Sequence, residues 1–188
     1  MKKKILIWLA ATAILTSGNL FAQDDEIATA GSNIWNQAQE PTNWWNAIKQ
    51  LHGHVGPWNV LGWRMGKTAL RELGATWGQH QLDIICHIPL KTPYSCIADG
   101  LIIGTGNSMG RLDIHLSEVA TMNEIYISAR QKDGSGPVLL LRPNLKYMEK
   151  ICDAPDSQNT PLADECAKLP EKELFTVEKV MPSEGNSK

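Results

Sequence analysis

His52-Gly53-His54 sets two imidazoles one residue apart, inside a stretch that cannot stay helical. Gly53, Gly56 and Pro57 end any helix arriving from Trp44 and force a tight turn before the next one. Neutral imidazole is the commonest metal-ligand side chain, so the pair could take a divalent ion. In the plainer reading one histidine caps the following helix and the other faces water. Cys96 is the second chemical candidate. Ser95 reads as the N-cap of a short helix from Cys96 to Ile103, and a thiol in a first turn meets the positive end of the helix dipole. That position favours the thiolate, the form that binds metals and attacks electrophiles. The alternative is that Cys96 is half of a disulfide with Cys86.

Two further features invite a ligand and have simpler accounts. The turn Gly104 to Arg111 is rich in glycine and could cradle a phosphate on backbone N–H groups. No strand precedes it, so a structural turn is the simpler reading. Of the seven tryptophans, all but Trp8 lie between Trp35 and Trp77, around the two histidines. They could wall a pocket for a flat cofactor such as haem or another tetrapyrrole, with His52 or His54 as axial ligand. Equally they could fill a core and a dimer interface.

The elements that must position these residues are legible from periodicity. Trp44, Ile48 and Leu51 recur at helical spacing within Thr42 to Leu51. A second helix is predicted from Trp58 or Asn59 to Leu73, with Leu61, Met65, Ala69 and Leu73 on one face. Gly62 and Gly66 leave a groove on that helix where another backbone can approach, which offsets the roughly 1 kcal/mol each glycine costs against alanine. Leu82 to Ile88 alternates as a strand, and Glu124 to Gln131 and Pro137 to Arg142 form a hairpin through Asp133 to Gly136. Asn144 to Ile151 is a short helix. Helices and antiparallel strands come in blocks, which argues α+β. The remainder from Cys152 to Lys188 is rich in Pro, Asp, Glu and Lys and is expected to be loose after Pro170. A disulfide between Cys152 and Cys166 is expected to order its first part. Closing about 15 residues contributes roughly 3 kcal/mol in the chain-entropy picture. Cys86 is then left as a buried thiol.

The opening Met1-Lys2-Lys3-Lys4, the apolar run Ile5 to Leu15 and the stretch ending at Ala22 have the order of a secretory signal peptide. The expected organisation is therefore a leader over 1–22, a linker over 23–41, a working domain over 42–152 and a partly disordered C-terminal extension over 153–188. A periplasmic or secreted location follows, with no membrane span in the mature chain. The chain has 18 Lys and Arg against 20 Asp and Glu, and three of those lysines lie in the leader. An acidic remainder without a basic stripe argues against nucleic acid as a partner.

Three segments together resemble a known family. Leu51-His52-Gly53-His54-Val55-Gly56-Pro57, then Leu61-Gly62-Trp63-Arg64-Met65-Gly66, resembles the opening of the FmdE family, which takes its name from a component of formylmethanofuran dehydrogenase and reads HGH-x-C-P-G and then G-x-R-x-G. Cys96-Ile97-Ala98-Asp99-Gly100, followed by Thr105-Gly106-Asn107-Ser108-Met109-Gly110-Arg111, is similar to that family's second motif. The resemblance implies an α+β fold with helices packed on an antiparallel sheet, a homodimer, and a metal site, usually zinc. Carried over residue by residue, it implies His52, His54 and Cys96 as ligands. Gly56 stands where the family has a cysteine, so the implied site is open to water or a small molecule, in the manner of catalytic rather than structural zinc. Copper or nickel would accept the same nitrogen and sulfur set. Asp99 and His87 are candidates for an extra ligand or for a partner that orients one. A metal-dependent hydrolase would also need a general base, for which Glu72 and Asp99 are the nearest acids in sequence. The family name is not carried over as an activity, because methanofuran chemistry is cytoplasmic and this chain is expected to be exported.

Overall fold

The computed structural model describes residues 39–181. The leader and nearly all of the expected linker lie outside the described residues, as does the end of the tail. Helix α1 (Trp44–His52) starts where the Asn43 side chain accepts from the Asn46 N–H at 2.9 Å. It ends at Gly53, whose φ of +93° is left-handed. Glycine between the two histidines is thus a conformational requirement and not a spatial one, since an added Cβ would meet nothing within 4 Å. Helix α2 (Pro57–Leu73) opens with proline at its first position, and the buried Asn59 side chain accepts from the Gly56 N–H at 2.7 Å. Strand β1 (Leu82–Ile88) leads to α3 (Cys96–Thr105) and then β2 (Ile114–Glu118). The hairpin β3 (Tyr126–Gln131) and β4 (Val138–Pro143) follows, then α4 (Leu145–Cys152), α5 (Asn159–Lys168), the single turn α6 (Glu171–Leu174) and β5 (Phe175–Val180).

The five strands form one sheet in the order β2-β1-β3-β4-β5. Only the β1–β2 pair is parallel; the other three are antiparallel. The fold is α+β, as the blocked pattern implies. Leu82, Ile84, Cys86 and Ile88 of β1, with Ile127, Ala129, Leu139 and Leu141 of the hairpin, are buried in a core shared with Leu61, Met65 and Ala69 of α2. Among the described residues no helix is long and apolar enough to cross a membrane.

Helices α2 and α3 meet almost backbone to backbone, through glycines of both helices. A Cβ at Gly62 would stand 2.1 Å from the Ile97 carbonyl oxygen, and one at Gly100 would stand 2.0 Å from that of Asn59. A Cβ at Gly104 would lie 2.6 Å from the Trp63 carbonyl oxygen. The groove anticipated on α2 is therefore filled by α3, and the contact runs from the first turn of each helix.

Several elements differ from the sequence expectation. Strands β2 and β5 and helix α5 occupy stretches whose sequence pattern reads as turn or tail. β5 is a sheet edge whose side chains beyond Phe175 are exposed, so no apolar alternation marks it. It nonetheless pairs with β4 along its whole length, from Phe175 opposite Pro143 to Val180 opposite Val138. The stretch after Pro170 is thus not loose: α6 and β5 order it as far as Val180. Helix α5 is held to α2 by Arg64, whose Nη1 donates to the carbonyls of Cys166, Ala167 and Leu169 at 3.0, 2.9 and 3.0 Å. A guanidinium at a helix C-terminus satisfies free carbonyls and meets the negative end of the dipole. The motif arginine is therefore a helix cap.

The disulfide expectation is also overturned: all four cysteines are free thiols. Cys166 is buried in the core cluster on the inward face of α5, beside Tyr147. Cys152, at the end of α4, has its Sγ 3.7 Å from the Tyr94 hydroxyl. The loop between them is ordered by Arg64 and by packing of Leu162 and Ala163 instead.

Candidate functional site

The end of α1, the start of α2 and the start of α3 border one cavity of about 910 Å³. His52, His54 and Cys96 line it, together with Trp58 and with Cys152, Asn159 and Thr160 from the opposite wall. The glycine contact between α2 and α3 is what brings the H-x-H turn and Cys96 to the same opening. The imidazoles of His52 and His54 lie 4.7 Å apart between ring centroids. His52 Nδ1 is 2.7 Å from Asp99 Oδ2, and Asp99 follows Cys96 by one helical turn on α3. A Cβ at Gly56 would point at His54, 3.5 Å from its Nε2, and would lie 3.8 Å from Asn159 Oδ1. Both are ordinary contact distances, so a Cβ would fit there in contact with His54 and Asn159.

The donor types suit a borderline metal such as zinc, with two imidazoles and a thiol facing one space. Their spacing is looser than a formed site. Among the described residues no three His, Cys, Asp or Glu side chains stand together at metal-binding distance. Side-chain rotation would be needed to gather them.

Cys96 does not have the activated thiol expected of a first-turn cysteine. Burial raises its pKa above the ordinary thiol value, and the Asp99 charge raises it further. The amides of Cys96, Ile97 and Ala98 already donate to the carbonyls of Pro93, Tyr94 and Ser95, at 3.1, 3.2 and 3.1 Å. Only the backbone N–H of Cys96 itself pulls the other way, and burial and Asp99 outweigh it.

The other candidates fall elsewhere. His87 lies on the sheet face away from the core, stacked on Tyr126 with ring centroids 4.0 Å apart and with Nε2 3.3 Å from Ser128 Oγ. Burial and the nearby Arg142 charge hold its pKa below the ordinary imidazole value. Glu72 sits at the far end of α2, about 20 Å from the cavity by helix rise. It is salt-bridged to Lys179 and Arg71, which lower its pKa. Of the two acids nearest in sequence, Glu72 is remote and Asp99 is engaged by His52, whereas Asp156 lines the cavity itself.

The tryptophans do not share a wall. Trp44 stacks on Trp63 at 3.9 Å and meets Trp45 edge-on, while Trp77 donates from Nε1 to the Ile103 carbonyl. Of the described tryptophans, Trp58 alone lines this cavity.

The glycine-rich turn is a polar knot. Asn107 Nδ2 donates to the carbonyls of Leu82 and Asp113, and its N–H donates to Thr105 Oγ1. The buried Asp113 carboxylate accepts from the Ser108 N–H at 2.6 Å and pairs with His80 Nδ1 at 2.7 Å and Lys132 Nζ at 3.5 Å. This ties the turn to β1 and to the start of β2. Sequence reasoning finds Asp99 but misses the wall from Ile151 to Thr160 and the capping role of Arg64. The one sequence signal for the Asp99 contact is its spacing from Cys96, which puts both on one face of α3.

No curated protein matches the chain. A family profile described as FmdE, Molybdenum formylmethanofuran dehydrogenase operon, matches residues 51–177. That span starts one residue before the H-x-H turn, runs past α5 and ends within β5, taking in both walls of the cavity. It covers more than half of the 188 residues, and the chain belongs to the FmdE family.

Proposed function

We propose that this is an exported metal-binding protein of the FmdE family, with an open site at His52, His54 and Cys96. Zinc is the first candidate, and copper or nickel would accept the same set. The observation that carries the reading is that these three side chains, from two separate segments, line one cavity. Gly56 supplies no ligand atom beside His54, which supports a site that keeps a position for water or a small molecule. A metal held there would supply Lewis acidity toward whatever enters the cavity. The chain's own contribution is to aim the imidazoles and a half-buried thiol at that space. Export, supported by the leader composition, is the ground for separating this protein from methanofuran chemistry.

The test is metal content. The full chain, purified from an exporting host, should carry one equivalent of divalent metal. Cys96→Ser and His54→Ala, made separately, should each lose most of it. If either keeps a full equivalent with unchanged affinity, the reading is wrong.

A further inference from the structure

Asp99 is not part of the cavity lining; it stands behind His52. Its Oδ2 is 2.7 Å from Nδ1, and the two side chains are 30 % and 15 % exposed. An ionised carboxylate can only accept, so the proton of a neutral His52 belongs on Nδ1. The lone pair then belongs to Nε2, on the opposite edge of a ring that itself lines the cavity. Without Asp99 a neutral imidazole in water distributes its proton over both nitrogens, and the ring is free to turn.

We propose that Asp99 is a positioning residue: it fixes the Nδ1–H tautomer of His52 and holds the ring so that Nε2 presents its lone pair to the cavity. Asp99 is thereby an orienting partner and not a further ligand, because it meets the imidazole through Oδ2 from outside the cavity lining. Its place on α3, one turn after Cys96, means that the same helix delivers the thiol and the group that aims the imidazole. The glycine contact then sets both against the H-x-H turn. The consequence for metal affinity rests on the proposed function; the tautomer does not.

The experiment has one arm for each. Nitrogen-15 labelled full chain, metal-free and at a pH well above the ordinary imidazole range, reports the tautomer of each histidine through long-range proton–nitrogen correlations. His52 should be the Nδ1–H form in the unsubstituted protein. It should lose that form in Asp99→Ala and keep it in Asp99→Asn, whose amide oxygen still accepts. His80, paired with Asp113, should not change in either variant and serves as the internal reference. An Nε2–H form for His52 in the unsubstituted protein, or no change in Asp99→Ala, overturns the inference. In the second arm, cobalt(II) affinity should fall about 10- to 100-fold in Asp99→Ala, the usual cost of losing such a partner, and less in Asp99→Asn. A tautomer that shifts without any loss of cobalt affinity overturns the positioning role. If the unsubstituted protein binds no cobalt while the tautomers behave as stated, the metal reading fails and the control of His52 by Asp99 stands.

Discussion

His52–Asp99 and His80–Asp113 are bonded through the same atoms at the same 2.7 Å, yet they sit in opposite surroundings. The first borders a cavity, and its carboxylate is 30 % exposed. The second has side chains that are 8 % and 0 % exposed, and its carboxylate also takes the Ser108 N–H and faces Lys132. Bond length alone therefore does not tell a pair at the cavity from a buried one. What separates them is how many other groups depend on the carboxylate, and whether the imidazole borders open space. Asp113 serves a loop and two strands. Asp99 serves one ring.

The largest expected effect comes from breaking the structural pair. Asp113→Ala removes the acceptor that His80 and the Ser108 amide share in a dry place, which should cost about 3–5 kcal/mol. Asp99→Ala, at a partly exposed position, should cost less than about 1 kcal/mol. Urea unfolding of the two variants side by side measures the contrast. Equal losses would erase the distinction.

Gly100→Ala comes next. It attacks the cavity side without touching its chemistry, by driving a methyl into the Asn59 carbonyl. The expected cost is about 2–3 kcal/mol, the upper part of the range for overpacking because the obstacle is backbone. Gly110→Ala, with nothing within 4 Å of the new Cβ, should stay within about 0.5 kcal/mol. Thermal unfolding of the pair checks both.

The smallest effect is on reactivity alone. Cys96 and Cys152 line the cavity, whereas Cys86 and Cys166 are buried in the core. Burial pushes the Cys86 thiol far up and the Cys166 thiol to about 11. Iodoacetamide under native conditions should modify the first two and spare the others until the chain unfolds, as peptide mapping would show. Labelling of Cys166 in the folded protein would break the division between cavity and core.

The sequence is most readable where burial has a period. α2 and β1 each show one apolar face, and the β3–β4 hairpin has its Asp133-Gly134 turn, so these elements fall close to their expected bounds. β2 is illegible because only Ile114 of its five residues is buried. α5 is illegible because Asn159-Thr160-Pro161 reads as a loop and its cap comes from Arg64, about a hundred residues earlier in the chain. The near wall of the site is legible because its ligand-type residues sit in two compact motifs. The far wall is not, because Cys152, Asn159 and Thr160 face the cavity only once α5 is docked, and nothing local encodes that docking. The expected disulfide fails for the same reason: Cys152 and Cys166 are close in sequence, but α5 turns one of them into the core.

The glycine crossing of α2 and α3 also sets which parts of this fold can be rewritten. Every path that enlarges a side chain at Gly62, Gly100 or Gly104 runs into main chain, which no rotamer change can relieve. The helix crossing behind His52, His54 and Cys96 is thus closed to gradual variation, although Gly56 at the cavity edge is not. The wall from Ile151 to Thr160 is attached through side chains, above all the Arg64 cap, and can drift in composition while the cap survives. A lineage or a designer seeking a new guest for this cavity has its more editable side there, away from the glycine crossing.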